Sequence, residues 1–233
     1  MDSKWYTWRQ WWAKNWLLVA IFVLSVCVKW LFWLNHQSFT QDQVRDYQLI
    51  EVHWQAWDFY IPLGPAAASY SKFSVLPGYY YVQLLAQGLC GHQFYAMAWA
   101  VIILESCTPC ILYWYLKKLT DRHKTAAGEW AALLGTLIYV FSPLVTMAGS
   151  QAWNPNLVPL CSLIFLVCSH EWLLERRGWY LTGAIVSFVA LANLHFQWFV
   201  LLPLAVADAV KYFHWRHESR KYWWIGILIS VIM

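Results

Sequence analysis

The chain has 233 residues, of which 61% are hydrophobic and only 12% are charged, and 19 of them are tryptophans. This apolar content lies well above the roughly 45–50% of soluble domains and excludes an ordinary water-soluble protein. The formal net charge of +4 comes from basic residues dispersed along the chain, so no basic patch indicates a nucleic-acid-binding protein. Apolar runs of about 20 residues between short charged patches are typical of an all-α polytopic membrane protein.

Seven apolar runs predict transmembrane helices. Most tryptophans lie near the ends of these runs, where their amphipathic rings favour the lipid headgroup region. In chain order the runs lie near 16–34, 94–116, 128–147, 156–174, 179–194, 196–213 and 222–233. The last run is too short to cross a membrane and has no closing polar flank. We therefore expect residues 1–233 to be the N-terminal transmembrane module of a longer protein.

The basic residues predict the orientation of the chain. With the N-terminus in the cytoplasm, 13 of the 16 lysines and arginines lie on the inner side, and only Arg45 and Lys72 lie outside. The remaining lysine, Lys29, falls within the first predicted span. This asymmetry follows the positive-inside rule, which the opposite orientation would break at every loop.

One long loop, residues 35–93, is predicted to face outward and to carry two amphipathic surface helices. The first follows the sequence DQVRDYQLIEVHWQAW, in which helical spacing places Asp42 and Asp46 one turn apart on one face. Its apolar stripe consists of Val44, Leu49, Val52 and Ala56. The second lies within PGYYYVQLLAQGLCG (77–91), which is too short to span a membrane. We expect both helices to lie along the membrane surface.

Four stretches of the chain carry a resemblance to a known family. They are FTQDQVRDY after the first span, LGPAAASYSKFSVLPGYYYVQLL in the loop, YVFSPLVTMAGSQAWNPNLVPL between the third and fourth spans, and LANLHFQ. In order and position they resemble the polytopic glycosyltransferases of the GT-C superfamily, specifically bacterial relatives of glycosyltransferase family 39. That group includes the protein O-mannosyltransferases and the lipid A aminoarabinose transferase. The resemblance covers nearly the whole chain from Trp16 onward.

The resemblance implies an enzyme of a bacterial plasma (inner) membrane. Such an enzyme transfers a sugar, with inversion, from a polyprenyl-phosphate donor to a protein, lipid or glycan acceptor at the outer face. No cofactor is implied with certainty, and a divalent metal ion stays an open question, although the sequence has no zinc-ligand spacing.

The acidic motif of the loop supplies the expected catalytic group. By position in the family, Asp42 is the general base, since a carboxylate within hydrogen-bond reach can take the proton of an acceptor hydroxyl. Asp46 and Arg45 are its expected partners on the acceptor side. Structural interpretations stay open: Asp42 is a favoured N-cap residue for a helix that begins at Gln43, and Asp46 and Arg45 can simply pair with each other.

The leaving group in such a reaction is a lipid phosphate, which needs cationic or hydrogen-bonding partners. Lys72, His195 and Tyr79 are the candidates on the outer side. Here too a structural interpretation stays open for each residue. Lys72 can be an interfacial lysine that snorkels, His195 can be a hydrogen-bonded residue at a helix end, and the tyrosines 79–81 can anchor the loop at the interface.

An acid in the second predicted span needs a separate explanation. Glu105 falls near the middle of that span, where an ionisable residue is costly and usually faces a partner or a cavity. Lys29, in the first span, is within plausible reach. We expect a structural Glu105–Lys29 pair between neighbouring helices.

Two other functions stay open. A transporter or flippase would line a path through the membrane midplane with polar groups, often on broken helices in repeated halves. Among the acids only Glu105 is expected there, and the chain shows no repeat. A non-catalytic membrane scaffold, with the outer loop as its docking surface, is the second alternative.

Overall fold

The computed structural model describes residues 3–36, 39–65, 74–124, 127–214 and 216–232. Within these ranges the chain forms eleven α-helices, two short 3-10 helices and no β-strand, so the predicted all-α class is confirmed. The helices are α1 (Ser3–Asn35), α2 (Gln41–Ala56), α3 (Gly78–Cys90), α4 (Phe94–Glu105), α5 (Cys107–Arg122), α6 (Gly128–Val140), α7 (Pro143–Gly149), α8 (Val158–Glu175), α9 (Gly178–Leu194), α10 (Leu202–His214) and α11 (Arg216–Ile232). The 3-10 helices are Asn154–Leu157 and Phe196–Leu201.

Three helical segments of the described part are long and apolar enough to cross a membrane: Asn15–Asn35, Phe94–Arg122 and Asn154–Glu175. Helices α6 and α7, which are bent by 61° relative to each other, make a fourth span if the pair is counted as one. This count is lower than the seven spans predicted from the sequence. The difference arises mainly after α8, because the chain breaks at His195 and leaves α9 with 17 residues and α10 with 13. The apolar helices nevertheless indicate a membrane protein.

The chain divides into two compact units, and α4 contributes to both. The first unit contains α1, α5, α6 and α7. Its core forms around Ile21, Tyr113 and Ala132, with leucines of α1, α5 and α6 packed against them. Glycine permits close approach here, since a Cβ added at Gly128 would lie 2.6 Å from the Cβ of Thr120.

The second unit contains α2, α3 and α8–α11. One cluster of its core contains Trp172, Tyr180, Leu181 and Tyr212. A second cluster, around Phe165, joins α8, α9 and α10. These helices support the segment that carries the predicted site, because α9 also packs against α3.

Helices α2 and α3 pack on each other within the second unit. The indole nitrogen of Trp54 donates to the Leu84 carbonyl at 3.1 Å, and the Tyr47 hydroxyl donates to the His92 carbonyl at 3.0 Å. The ring of Trp54 lies so close to Gly88 that a Cβ there would stand 2.6 Å from it. These contacts hold the two helices together as one packed pair.

Candidate functional site

Helix α2 begins with a capping box. The Gln43 amide donates to the Thr40 hydroxyl at 3.3 Å, and the Thr40 amide donates to the Gln43 side chain at 3.0 Å. Thr40 is therefore the N-cap, and the helix begins at Gln41, two residues earlier than the N-cap interpretation of Asp42 requires. That interpretation is wrong. The Asp42 carboxylate lies in the first turn, where a negative charge is favoured.

Arg45 joins the two predicted carboxylates. Its Nη1 lies 2.9 Å from Asp42 Oδ1, its Nη2 lies 2.8 Å from Asp46 Oδ1, and its Nε donates to the same Asp46 oxygen at 3.1 Å. The side chains of Arg45 and Asp42 are 49% and 42% exposed, whereas that of Asp46 is 1% exposed. A buried carboxylate thus holds the guanidinium in place, and a solvent-accessible carboxylate stands beside it.

Asp46 is fixed from a second helix as well. The Tyr80 hydroxyl, on α3, donates to Asp46 Oδ1 at 2.9 Å. Burial raises the pKa of Asp46 above its ordinary value, and the hydrogen bonds from Arg45 and Tyr80 oppose that rise. Because Asp46 is inaccessible, the geometry favours a positioning role for it over direct contact with an acceptor.

Arg45 remains a cation in this setting. Burial lowers its pKa, but the hydrogen bond and the charge of Asp46 more than offset that effect, and the net pKa lies above the ordinary value. Its guanidinium has five donors in a planar fork, a geometry that suits carboxylates and phosphates. About half of the side chain stays exposed and able to meet a ligand.

The start of α3 lies against the end of α9. A Cβ at Gly78 would stand 2.7 Å from the Asn193 Cβ, so glycine permits this approach. Tyr79 and Tyr80 follow directly, with 0% and 4% exposure. They lie inside the protein, so the interpretation of the tyrosine run as a set of interfacial anchors is wrong for these two residues. Burial and the charge of Asp46 raise the pKa of both phenols, which stay protonated at neutral pH.

His195 lies in the turn directly after α9. Its Nδ1 accepts a long hydrogen bond, 3.4 Å, from the Gln197 amide and so caps the following 3-10 helix. Burial lowers its pKa below the ordinary value, so at neutral pH the imidazole is uncharged. His195 therefore has a structural role at a helix end, and for a phosphate it offers an N–H donor rather than a positive charge.

The structure brings some of the predicted residues together and separates others. Asp42, Arg45 and Asp46 form one hydrogen-bonded group, and Tyr80 connects that group to α3 and its neighbour Tyr79. His195 follows the end of α9, which Gly78 contacts through Asn193. Lys72 lies outside the described residues.

Lys29 and Glu105 belong to the first unit, where they form a separate polar group. Lys29 Nζ donates to Ser25 Oγ at 2.6 Å. Glu105 accepts from the Tyr139 hydroxyl at 2.6 Å and from the Thr108 hydroxyl at 2.9 Å. Each side chain is therefore held by its own hydrogen bonds, and the structural pair of Lys29 and Glu105 stays a prediction.

The two charged side chains of the first unit are nevertheless neighbours. Both flank Gly149, where an added Cβ would stand 2.4 Å from Lys29 Cε and 2.9 Å from Glu105 Cγ. Both side chains thus approach the same glycine, which leaves room for them. Glycine at position 149 is thus part of the same arrangement as the lysine and the acid.

Several polar residues near the site are not predicted by the sequence patterns. Asn154 donates to the Leu194 carbonyl at 2.7 Å and so supports the end of α9. Gln83 and Gln87 are fully buried on α3. Their spacing of four residues, continued back to Tyr79, is a helical polar stripe that the sequence does contain.

Glu105 is also not the only buried acid within the predicted spans. Asp208, on α10, is buried and accepts from the Ser169 hydroxyl at 2.6 Å. Glu171, on α8, is buried as well. Burial inside the protein does not give depth in a membrane, so the expectation that among the acids only Glu105 lies at the midplane stays a prediction.

Because the comparisons with known proteins found no match, the function is argued from the geometry of the site. No protein-family model, no curated protein and no solved structure matches this chain. In the described part of the chain, no group of three or more histidine, cysteine, aspartate or glutamate side chains is placed to hold a metal ion. The group around Arg45 is therefore the candidate site on which a function can be argued.

Proposed function

We propose that this protein is a membrane glycosyltransferase of the GT-C type. It would transfer a sugar from a polyprenyl-phosphate donor to an acceptor hydroxyl on the non-cytoplasmic side of a bacterial plasma membrane. The observation that carries the proposal is the pairing of an accessible carboxylate, Asp42, with a half-exposed guanidinium, Arg45, at 2.9 Å. The resemblance in the acidic loop motif supports it.

Each member of this pair matches one requirement of the reaction. The acceptor oxygen forms a bond to the anomeric carbon while its proton passes to the Asp42 carboxylate. The bond from that carbon to the phosphate oxygen breaks, and its electron pair leaves with the phosphate. Polyprenyl phosphate gains one negative charge, which the Arg45 guanidinium stabilises. Attack opposite the leaving group accounts for inversion.

Asp46 and Tyr80 position this pair in the proposal. Asp46 holds two nitrogens of Arg45, and Tyr80 holds Asp46 from the neighbouring helix. Preorganised donors stabilise developing charge better than mobile ones because they need no reorganisation during the reaction. His195, as a neutral N–H donor, and Lys72 are further candidates for the donor phosphate.

The membrane arrangement is part of the same proposal. Seven spans with the N-terminus in the cytoplasm would place α2 and α3 on the outer side as surface helices. The exposure of Val44 and Val52 on α2, and of Leu85 and Leu89 on α3, supports this placement. Apolar side chains that face away from the protein are favourable where they meet lipid.

The direct test is the Asp42→Asn variant in the full-length protein. The assay follows release of undecaprenyl phosphate by mass spectrometry in membranes supplied with undecaprenyl-phosphate glucose or mannose. We expect a rate loss of about 100-fold or more, which is the usual contribution of a general base. Asp58→Asn is the matched control, because Asp58 belongs to the same loop, is exposed and accepts with its side chain from the nearby Tyr60 amide. Equal rates in both variants would contradict the proposal.

A further inference from the structure

Helix α3 has polar residues on its buried face and apolar residues on its exposed face, the reverse of a surface helix on a soluble protein. Its buried face carries Tyr79, Gln83 and Gln87, each with 0% exposure. Its outer face carries Leu85 and Leu89, which are 63% and 77% exposed. The three polar residues recur every four positions, so they form one stripe about 12 Å long.

The polar atoms of this stripe lack well-formed hydrogen bonds. Both amide atoms of Gln87 and Asp46 Oδ2 are buried without a partner, and the Tyr79 hydroxyl and the Gln83 amide interact with each other without forming a hydrogen bond of good geometry. Buried polar atoms in folded proteins are nearly always paired, because leaving them unpaired costs stability. Leucine at positions 83 and 87 would fill similar space without that cost. The glutamines are therefore better explained by a ligand than by packing.

The chemistry of the stripe restricts the ligand. A glutamine amide and a tyrosine hydroxyl each offer both a donor and an acceptor. The negative charge of Asp46 is already matched by Arg45. The stripe thus carries no net charge, and each of its side chains can both donate and accept a hydrogen bond. This suits a neutral molecule with several hydroxyl groups and disfavours an anion.

We infer that the buried face of α3 binds the neutral sugar ring of the lipid-linked donor. This inference rests on the proposed function and assigns the sugar subsite to Tyr79, Gln83 and Gln87. The stripe begins one residue before Tyr80, which bonds to the carboxylate that holds Arg45. The sugar would therefore lie next to the cation that meets the donor phosphate.

The test compares carriers with and without a sugar. Binding of undecaprenyl-phosphate glucose, undecaprenyl-phosphate mannose and bare undecaprenyl phosphate is measured for the purified full-length protein by thermal shift and by competition. In the wild type, at least one sugar-bearing carrier should bind more tightly than the bare carrier. Gln83→Leu and Gln87→Leu should each reduce that sugar-dependent gain by up to about tenfold. Binding of the bare carrier should not change.

Stability separates a ligand role from a structural one. Since the variants remove unpaired buried amides, their Tm without ligand should equal or exceed that of the wild type. Gln48→Leu, the same change at an exposed glutamine of α2, controls for added hydrophobicity and should leave binding unchanged. A lowered Tm, a variant that fails to fold, or an unchanged sugar-dependent gain would each overturn the inference.

The outcomes also distinguish the subsite from the proposed reaction. If Asp42→Asn abolishes transfer while the glutamine variants keep the wild-type preference for sugar-bearing carriers, the subsite is wrong and the proposed function stands. If the glutamine variants lose that preference but the wild type transfers no sugar, the subsite stands and the reaction is wrong. A wild type that binds bare and sugar-bearing carriers equally overturns the subsite.

Discussion

Tyr80→Phe tests the contact that joins α3 to the acidic group on α2. The substitution keeps the buried ring and removes only the hydroxyl that donates to Asp46 Oδ1 at 2.9 Å. A hydrogen bond to a charged group contributes roughly 1.5–3 kcal/mol, more than a neutral bond, which contributes about 1 kcal/mol. The bond matters here because Asp46 is 1% exposed and its other oxygen has no partner, so water cannot replace the lost donor.

The expected loss of about 2 kcal/mol corresponds to a decrease of about 4–8 °C in Tm for a chain of this size. Thermal unfolding of the purified protein in detergent micelles measures it. Tyr47→Phe is the matched control, because its hydroxyl donates to the neutral His92 carbonyl at 3.0 Å. We expect the control to lose about half as much. A Tyr80→Phe variant that unfolds at the same temperature as the wild type, or that is more stable than Tyr47→Phe, would contradict this expectation.

Three further predictions follow from individual contacts. Burial raises the pKa of Asp46 in the folded protein above its ordinary value of 3.8, so the folded state binds more protons than the unfolded state. The stability of the wild type relative to Asp46→Asn should therefore fall as the pH rises above that value. Measurements of Tm from acid to neutral pH test this, and a relative stability that rises with pH would contradict it. Gly149→Ala should lower the free energy of unfolding by about 1–3 kcal/mol, since the added Cβ would stand 2.4 Å from Lys29 Cε. In the control Gly135→Ala the nearest neighbour of the added Cβ lies at 3.2 Å, so Tm should change little. Equal effects of the two substitutions would argue against a tight fit at position 149. Glu105→Leu leaves the buried Thr108 hydroxyl and the half-buried Tyr139 hydroxyl without their acceptor and should lower the yield of folded protein, while Glu105→Gln should keep most of it. Fluorescence-detected size exclusion measures the yield, and a high yield for the leucine variant would show that these bonds are dispensable.

Much of the helical framework follows from local sequence. Apolar runs predict the all-α class, and the short aromatic segment from Pro77 predicts α3, because both depend on patterns within one helix. The break at His195 also follows, since one helix through that region would be too long for a single span. The start of α2 was misplaced although the sequence contains the signal, a threonine followed three residues later by a glutamine.

Contacts between distant residues could not be predicted in this way. Tyr80 and Asp46 are 34 positions apart, and their hydrogen bond depends on how α2 packs against α3. The burial of Gln83 is likewise decided by tertiary packing, because a glutamine on a short surface helix ordinarily faces water. The acidic motif is visible in the sequence, whereas the separate roles proposed for Asp42 and Asp46 rest on their different exposure.

The central claim is that the acidic turn of α2 stands on the non-cytoplasmic side of the membrane. Cysteine labelling tests it most directly: Gln41→Cys and Lys124→Cys, both at exposed positions, are introduced singly after the six native cysteines are replaced. In intact cells a membrane-impermeant maleimide should label the cysteine at position 41 and should reach the one at 124 only after permeabilisation. Labelling of position 124 but not of 41 in intact cells would contradict the account.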